Sequence, residues 1–92
     1  MAASVQHRAV KIVNQRGLHA RAAAKFAQTS AQFEAEINVS RAGQTVSGRS
    51  IMGLMLLAAA MGCEIELEIS GNDAERAMTA ICELIDRKFD EE

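Results

Sequence analysis

A histidine and an arginine stand two residues apart where an alanine-rich helix is predicted to begin. Residues 14–28 read NQRGLHARAAAKFAQ, so His19 and Arg21 follow a loop that contains a glycine. The first amides of a helix lack intrahelical partners and carry about half a positive charge, which favours a bound anion. The same field disfavours an imidazolium, so His19 keeps a lone pair for attack on a phosphoryl group, and Arg21 offers a planar fork for its oxygens. The pattern indicates a phosphoryl-accepting histidine, although a capping or surface histidine is the commoner arrangement at a helix start.

Four segments of the chain are predicted to be strands. Two of them alternate apolar and polar residues, which is the period of a strand with one buried face. A hairpin turn at Arg41-Ala42-Gly43, with Gly43 at a position of positive φ, joins the first of these two to a weaker return strand. The predicted strands cover residues 6–13, 33–39, 44–47 and 63–69.

Three helices are predicted, over residues 20–30, 51–57 and 74–89. The first has a face of mostly small residues that can lie close to a sheet, namely Ala20, Ala23, Phe26 or Ala27, and Ser30. Asn72 and Glu75 form a variant of the capping box that opens the last helix. The buried stripe of that helix is predicted to comprise Ala74, Ala77, Met78, Ile81, Leu84, Ile85 and Phe89.

The order of the elements is strand, helix, strand, strand, helix, strand, helix. The hairpin and the alternation both favour antiparallel pairing. We therefore predict an α+β fold, an open-faced two-layer sandwich with a four-stranded antiparallel sheet and three helices on one face. The 92 residues suffice for one compact core, and a single domain over residues 1–92 is expected.

Ser50 stands directly before the second helix, where serine is a favoured N-cap that contributes about 1 kcal/mol. The apolar residues that follow, Ile51, Met52 and Met55, are either core or surface. A sandwich with one covered face has few places to bury so long an apolar run, and surface methionines adapt to several partners. We expect Met52 and Met55 to be at least half exposed.

Composition argues against several classes of function. A net charge of −2, no Trp or Tyr and only three Phe do not suit nucleic-acid binding. The N-terminus lacks an export signal, and the longest apolar stretch, residues 51–61, is too short to cross a bilayer. We therefore expect a cytoplasmic protein without membrane insertion.

The remaining histidine and the two cysteines suggest no further chemistry. His7 is interpreted as a half-buried residue of the first strand. Cys63 and Cys82 lie far apart in sequence and outside any CxxC pattern, so they are expected to be small apolar residues at the core in a reducing compartment. No His, Cys, Asp or Glu residues stand at ligand spacing, so neither a metal site nor a cofactor is expected.

Two motifs together resemble those of one known family. GLHARAA at residues 17–23 is similar to the active-site signature of that family, and SIMGLM at residues 50–55 is similar to its regulatory serine and the short helix after it. The chain length and the order of the elements agree as well, so the resemblance covers nearly the whole chain. The family is HPr, the phosphocarrier of the bacterial phosphoenolpyruvate-dependent phosphotransferase system.

The resemblance implies a phosphoryl carrier within a relay rather than a free-standing enzyme. His19 would be phosphorylated on Nδ1 by phospho-Enzyme I and would pass the group to a histidine of an EIIA protein or domain. Arg21 and the helix amides from Ala20 onward would stabilise the group in transfer. A shuttle must show one docking face to successive partners, so a monomer is expected.

The resemblance also implies a docking surface and a regulatory site. The surface would comprise Leu18, Ile51, Met52 and Met55 and would contact Enzyme I and EIIA. Ser50 would be the target of an HPr kinase/phosphorylase, and its phosphate would add about two negative charges beside that surface.

One departure from the family and three rival interpretations stand beside this reading. The family usually has proline where this chain has Ala22, and proline presets the backbone of the first helical turn. Arg16 also adds positive charge to the loop before the helix. One rival keeps the fold but acts in a nitrogen-related regulatory branch, through protein binding rather than sugar transport. Another is a small binding module in which His19 is incidental. An RNA-recognition module is weaker, because the exposed strand faces carry Glu rather than aromatic residues.

Overall fold

The predicted order of elements is present in the computed structural model, which describes residues 5–91. The strands are β1 (Val5–Lys11), β2 (Glu36–Arg41), β3 (Gln44–Ser47) and β4 (Glu64–Ser70). The helices are α1 (Ala20–Ser30), α2 (Ile51–Leu56) and α3 (Ala74–Asp86), and a C-terminal turn covers Lys88–Asp90. Within residues 5–91, no helix is long and apolar enough to span a membrane.

The four strands form one antiparallel sheet in the order β1-β4-β2-β3. In β4 the isoleucine and leucine side chains are buried, and the glutamates between them are exposed on the other face. Because successive side chains of a strand point to opposite faces, this alternation gives the sheet one apolar face for the helices to cover. The predicted fold class, with three helices on one face, is confirmed.

The helices cover the apolar face of the sheet. Every residue predicted for the stripe of the last helix is buried, with Phe89 in the C-terminal turn. In α1 the buried face runs through Ala22, Ala23, Phe26, Ala27 and Ser30. Ala20, which was predicted on that face, is exposed because the face passes through Ala22 instead.

The segment before β2 differs from the prediction, because the strand begins at Glu36 rather than at residue 33. The Arg49 guanidinium donates hydrogen bonds to the carbonyl oxygens of Phe33 and Ala35, at 2.8 and 3.1 Å. A side chain, rather than a neighbouring strand, therefore satisfies these two carbonyls.

The predicted capping box of Asn72 and Glu75 is wrong. The N-cap of α3 is Asp73, and its side chain makes no cap hydrogen bond. The Asp73 carboxylate instead accepts a hydrogen bond from the Glu34 N–H at 2.8 Å, and the Asp73 N–H donates to the Glu34 carbonyl at 3.1 Å. A contact between two loops distant in sequence thus replaces the local cap.

The interpretation of His7 as half-buried is also wrong. His7 pairs with Glu68 across β1 and β4 on the open face of the sheet, where its Nε2 lies 3.7 Å from the Glu68 carboxylate and its side chain is 68% exposed. Cys63 and Cys82 are free thiols, half-buried against the core. A hydrogen bond from the backbone at Ala60 lowers the pKa of the Cys63 thiol, and the guanidinium of Arg41 adds to this effect.

Candidate functional site

The loop between β1 and α1 is anchored on the segment that follows α2. β1 ends at Lys11 rather than at residue 13, and the chain then turns through Gly17, which has a φ of +68°. A Cβ atom at Gly17 would lie 2.4 Å from the carbonyl oxygen of Ala59, and the N–H of Leu18 donates to the same oxygen at 2.9 Å. Both the positive φ and this close approach require glycine.

Leu18, predicted as a partner-contacting residue, lies beneath this loop. Its exposed fraction is only 5%, and it packs in the core. Its side chain is therefore not available to a partner. Leu18 instead holds the loop against the body of the molecule, so it positions the next residue, His19.

His19 is the N-cap of α1, as the sequence predicts, and it leaves the helix start open. Its backbone is extended, with φ −77° and ψ −179°, and its carbonyl accepts the hydrogen bond from the Ala23 N–H at 2.8 Å. Its side chain makes no cap hydrogen bond. The first amides of α1, from Ala20 onward, have no intrahelical partners either. The imidazole and these amides are thus both available to an anion.

The carboxylate of Glu91 lies against His19. The distance from Glu91 Oε1 to His19 Nε2 is 3.6 Å, and the two side chains are 15% and 19% exposed. Asn14, which is fully buried, donates from Nδ2 to Glu91 Oε1 at 2.6 Å and to the Gly17 carbonyl at 2.8 Å. One amide group therefore joins the loop before α1 to the segment that follows the C-terminal turn.

The groups around Glu91 favour the ionised form of its side chain. The hydrogen bond from Asn14 is the main cause that lowers the pKa of the Glu91 carboxyl, and His19 and Arg16 add to it, while burial acts in the opposite direction. Asp90 is held similarly, because hydrogen bonds from Arg87 and Lys25 lower the pKa of its carboxyl.

A cleft of about 420 Å³ opens beside His19. Arg21, the second predicted catalytic residue, is exposed and lines this cleft with two further basic residues, Arg16 and Lys25. The C-terminal turn closes the opposite side. The cleft thus contains three cations and two carboxylates, Asp90 and Glu91, beside one imidazole, and its excess of positive charge can offset the negative charge of a phosphoryl group.

Glu91 and Asn14 were not singled out by the sequence analysis. Glu91 lies at the end of a charged C-terminal segment that carries no motif. One signal was present: the buried stripe of α3 continues to Phe89, which directs the residues after it back toward the core. Nothing in the sequence indicates that these residues end beside the start of α1.

Ser50 is the N-cap of α2, as predicted. Its backbone is extended, and its Oγ accepts a hydrogen bond from the Gly53 N–H at 3.0 Å. This is the side-chain cap that α1 lacks. The helix start at Ser50 is therefore closed by the protein's own hydroxyl.

α2 presents an apolar surface. Ile51, Met52, Met55 and Leu56 are all exposed, whereas Leu54 is fully buried. The expectation of at least half exposure holds for Met52, at 76%, but not for Met55, at 43%. Met55 falls short because it lies nearer the side of the short helix that turns toward the body of the molecule. α2 also contacts α1, the helix that begins directly after His19.

Comparison with known proteins identifies the family. The family model described as the PTS HPr component phosphorylation site matches residues 6–87. The chain belongs to the HPr family. A phosphocarrier protein HPr of Neisseria meningitidis is 51% identical over 82 residues, which cover 89% of this chain and 92% of that protein. A phosphocarrier protein NPr of Shewanella violacea is 46% identical over 91% of this chain and 92% of its own length.

The structural comparison agrees with the sequence comparison. The crystal structure of an HPr from Thermoanaerobacter tengcongensis matches with a TM-score of 0.90 and 40% identity, over 95% of this chain and 98% of that one. Membership of the HPr family gives the chain the general role of a phosphocarrier in the phosphotransferase system. The roles of individual residues, His19 included, stay predictions.

Proposed function

We propose that this protein accepts a phosphoryl group from phospho-Enzyme I on Nδ1 of His19 and passes it to a histidine of an EIIA protein or domain. The observation that carries the proposal is the open start of α1, where the N-cap is a histidine whose side chain makes no cap hydrogen bond. A helix start without a side-chain cap, in a cleft that is lined by three cations, suits an anionic phosphoryl group that is present on the histidine only part of the time.

The transfer needs no new kind of bond. The Nδ1 lone pair attacks the phosphorus of the donor phosphohistidine, a new N–P bond forms, and the electron pair of the broken N–P bond returns to the donor ring. Donor and acceptor are chemically alike, so the step is close to thermoneutral and reversible. The protein contributes positioning and charge compensation, which Arg21 and the amides from Ala20 onward supply.

The partners dock, in this proposal, on the exposed apolar surface of α2. Ile51, Met52 and Met55 contribute to it, and Leu56, at 70% exposed, extends it. Apolar side chains beside a ring of basic residues fit partners with an apolar patch and acidic surroundings. The carrier works as a monomeric single domain in the cytosol, so that each partner meets the same face.

Ser50 is the proposed site of regulation by an HPr kinase/phosphorylase. Its hydroxyl accepts a hydrogen bond from the Gly53 N–H, and it stands directly before Ile51 and Met52. A phosphate there adds about two negative charges at the edge of the apolar surface and weakens docking of Enzyme I. The cap and the regulatory site thus use the same oxygen.

Intact mass measurement tests the carrier role. The chain is incubated with Enzyme I and phosphoenolpyruvate, and one acid-labile phosphoryl group is expected on it. The group should be absent from His19→Ala and present on Ser50→Ala, which is the matched control at the other helix start. If Enzyme I phosphorylates another HPr under the same conditions but not this chain, the proposal fails.

A nitrogen-related regulatory branch is the second candidate function. Relatives named HPr and NPr match this chain with similar identity, 51% and 46%. Phosphorylated chain is therefore offered to an EIIA of each branch, and the rate of loss of its phosphoryl group is compared. Faster transfer to the sugar-branch EIIA supports sugar transport, and faster transfer to the other supports regulation.

A further inference from the structure

We propose that Glu91 is a positioning residue for His19, because its carboxylate keeps the imidazole proton on Nε2 and so leaves the lone pair of Nδ1 for the phosphoryl group. The inference rests on the proposed function and adds to it a residue outside both family motifs. The proposed role determines which of the two ring nitrogens of His19 acts as the nucleophile.

The geometry of the pair selects one tautomer. Glu91 Oε1 lies 3.6 Å from Nε2 of His19, in a setting where both side chains are largely withdrawn from water. An ionised carboxylate only accepts hydrogen bonds, so it favours the ring tautomer that turns an N–H toward it over the one that turns a lone pair toward it. At 3.6 Å the contact is electrostatic rather than a hydrogen bond, and the negative charge of the carboxylate still favours an N–H at Nε2.

Glu91 is held in place from two sides. Both hydrogens of the Asn14 amide are used, one toward Glu91 and the other toward the Gly17 carbonyl. Asn14 is fully buried, so water does not compete for these bonds. The carboxylate therefore has a fixed position relative to the loop that carries His19.

The C-terminal turn provides the second attachment. Phe89 is buried in the core, and Asp90 bridges to Lys25 of α1 at 3.3 Å and to Arg87 at 3.0 Å. Lys88, Phe89 and Asp90 have φ values of 60°, 55° and 60°, in the left-handed region that residues other than glycine rarely adopt. Such a backbone persists only when its surroundings determine it, and here the buried ring and the two ion pairs do so.

The charges that face Glu91 are consistent with this role. Arg16 attracts its carboxylate, as does the ring of His19 when it is positively charged. The same cleft holds two further cations, Arg21 and Lys25, and one further carboxylate, Asp90. When Nδ1 gains the phosphoryl group, the proton on Nε2 neither arrives nor leaves, and the ring carries positive charge. The Glu91 carboxylate offsets that charge. On onward transfer the N–P bond breaks, and its electron pair returns to Nδ1 of a ring that departs as neutral imidazole.

The test uses Glu91→Ala in the full chain, with Glu68→Ala as the matched control. Glu68 lies 3.7 Å from His7, so each variant removes one carboxylate beside one histidine, but the control pair is exposed. The tautomer of each histidine is measured from its ring ¹⁵N chemical shifts at a pH where both rings are neutral. The turnover number and KM for phosphoryl transfer from phospho-Enzyme I are measured in parallel.

We expect the Nε2–H share of His19 to exceed that of a free histidine side chain in the unmodified chain and in Glu68→Ala, and to fall to that level in Glu91→Ala. The turnover number of Glu91→Ala should fall on the order of tenfold with little change in KM, mainly because the carboxylate no longer offsets the positive charge that the ring gains. The change of tautomer accounts for only a small part of this fall, because Nε2–H is already the major tautomer of a free histidine side chain. A purely structural role for Glu91 would leave the tautomer unchanged. An unchanged tautomer or an unchanged turnover number in Glu91→Ala overturns the proposal.

The two proposals fail in different ways. If the unmodified chain accepts no phosphoryl group, the carrier function fails whatever the tautomer of His19. If it accepts the group and Glu91→Ala behaves in the same way by both measurements, only the role of Glu91 fails.

Discussion

The starts of α1 and α2 solve the same structural problem in opposite ways. Both N-caps have an extended backbone, but Ser50 gives its side-chain oxygen to the Gly53 N–H, whereas His19 gives no side-chain atom to its helix. α1 has eleven residues and a buried face that holds it in place, and α2 has six residues and a single fully buried one, Leu54. The longer helix can therefore do without a cap that the shorter helix needs.

The carrier role proposed above would explain why the start of α1 is left without a side-chain cap. An uncapped start leaves amides and an imidazole for an outside group, and the cations of the cleft face that position. A capped start is already satisfied by its own hydroxyl. The two helix starts should accordingly respond to mutation in opposite ways, the first in activity and the second in stability.

The largest effect is expected for His19→Ala. Acceptance of a phosphoryl group should fall by a thousandfold or more, on the order seen when a nucleophile is removed. The free energy of unfolding should change by about 1 kcal/mol or less, because the side chain supplies no cap. Intact mass and urea denaturation measure the two quantities. A large loss of stability would contradict this prediction, because it would show that the His19 side chain stabilises the fold.

Gly17→Ala should have the largest effect on stability. The new Cβ would lie 2.4 Å from the Ala59 carbonyl oxygen at a φ of +68°, and the combined strain is expected to cost about 2 to 4 kcal/mol. Gly43→Ala is the matched control, because Gly43 also has a positive φ but no atom near its Cβ position. The control should cost only about 1 kcal/mol. Equal losses in urea denaturation would show that the close approach does not hold the loop.

Ser50→Ala should cost about 1 kcal/mol of unfolding free energy through the lost cap. Phosphoryl acceptance by His19 should stay within about twofold of the unmodified chain, because Ser50 is not among the described residues that line the cleft. Ser50→Asp restores a capping oxygen and adds a negative charge, so it should recover stability and raise the KM for Enzyme I. A KM that does not change with Ser50→Asp would argue against regulation at this position.

The smallest effect is expected in the pH dependence of the unfolding free energy that Glu91 and the Ser50 cap each contribute. The pKa of the Glu91 carboxyl is lowered below its ordinary value of 4.5, mainly by Asn14, so its contribution to stability is complete above that value and is lost as the pH falls through the folded-state pKa. The stability difference between the unmodified chain and Glu91→Ala should therefore shrink between pH 7 and pH 3. The difference for Ser50→Ala should stay constant, since no titratable group forms that cap. Urea denaturation at both pH values measures these differences. A stability difference for Glu91→Ala that does not change with pH would contradict this account.

The sequence predicted the elements that local patterns determine. The hairpin at Gly43, the cap at Ser50 and the alternation of β4 each depend on neighbours a few residues away, and all three are present. The position of His19 and Arg21 at one helix start could be predicted for the same reason, because a helix start and its flanking side chains form a local motif. His19 and Arg21 share one cleft as a result.

Features that depend on distant partners were missed. Asp73 turns to the backbone of Glu34 instead of capping its helix, and Leu18 is drawn under the loop by contacts with the core. Glu91 reaches His19 only because α3 returns the chain across the sheet. No pattern within a few residues carries these contacts, since the segments involved lie far apart in sequence.

The position of β4 at the centre of the sheet also bears on how the molecule folds. β4 comes last in sequence among the strands, yet it lies between β1 and β2 and pairs Val5 with Ser70 and Lys11 with Glu64. During synthesis only the local hairpin of β2 and β3 can form before β4 emerges, and the closure of so long a loop is slow. β1 leads directly into the loop that carries His19. We therefore expect the site to assemble late and together with the sheet, so that a chain with an incomplete sheet does not present a working carrier site to its partners.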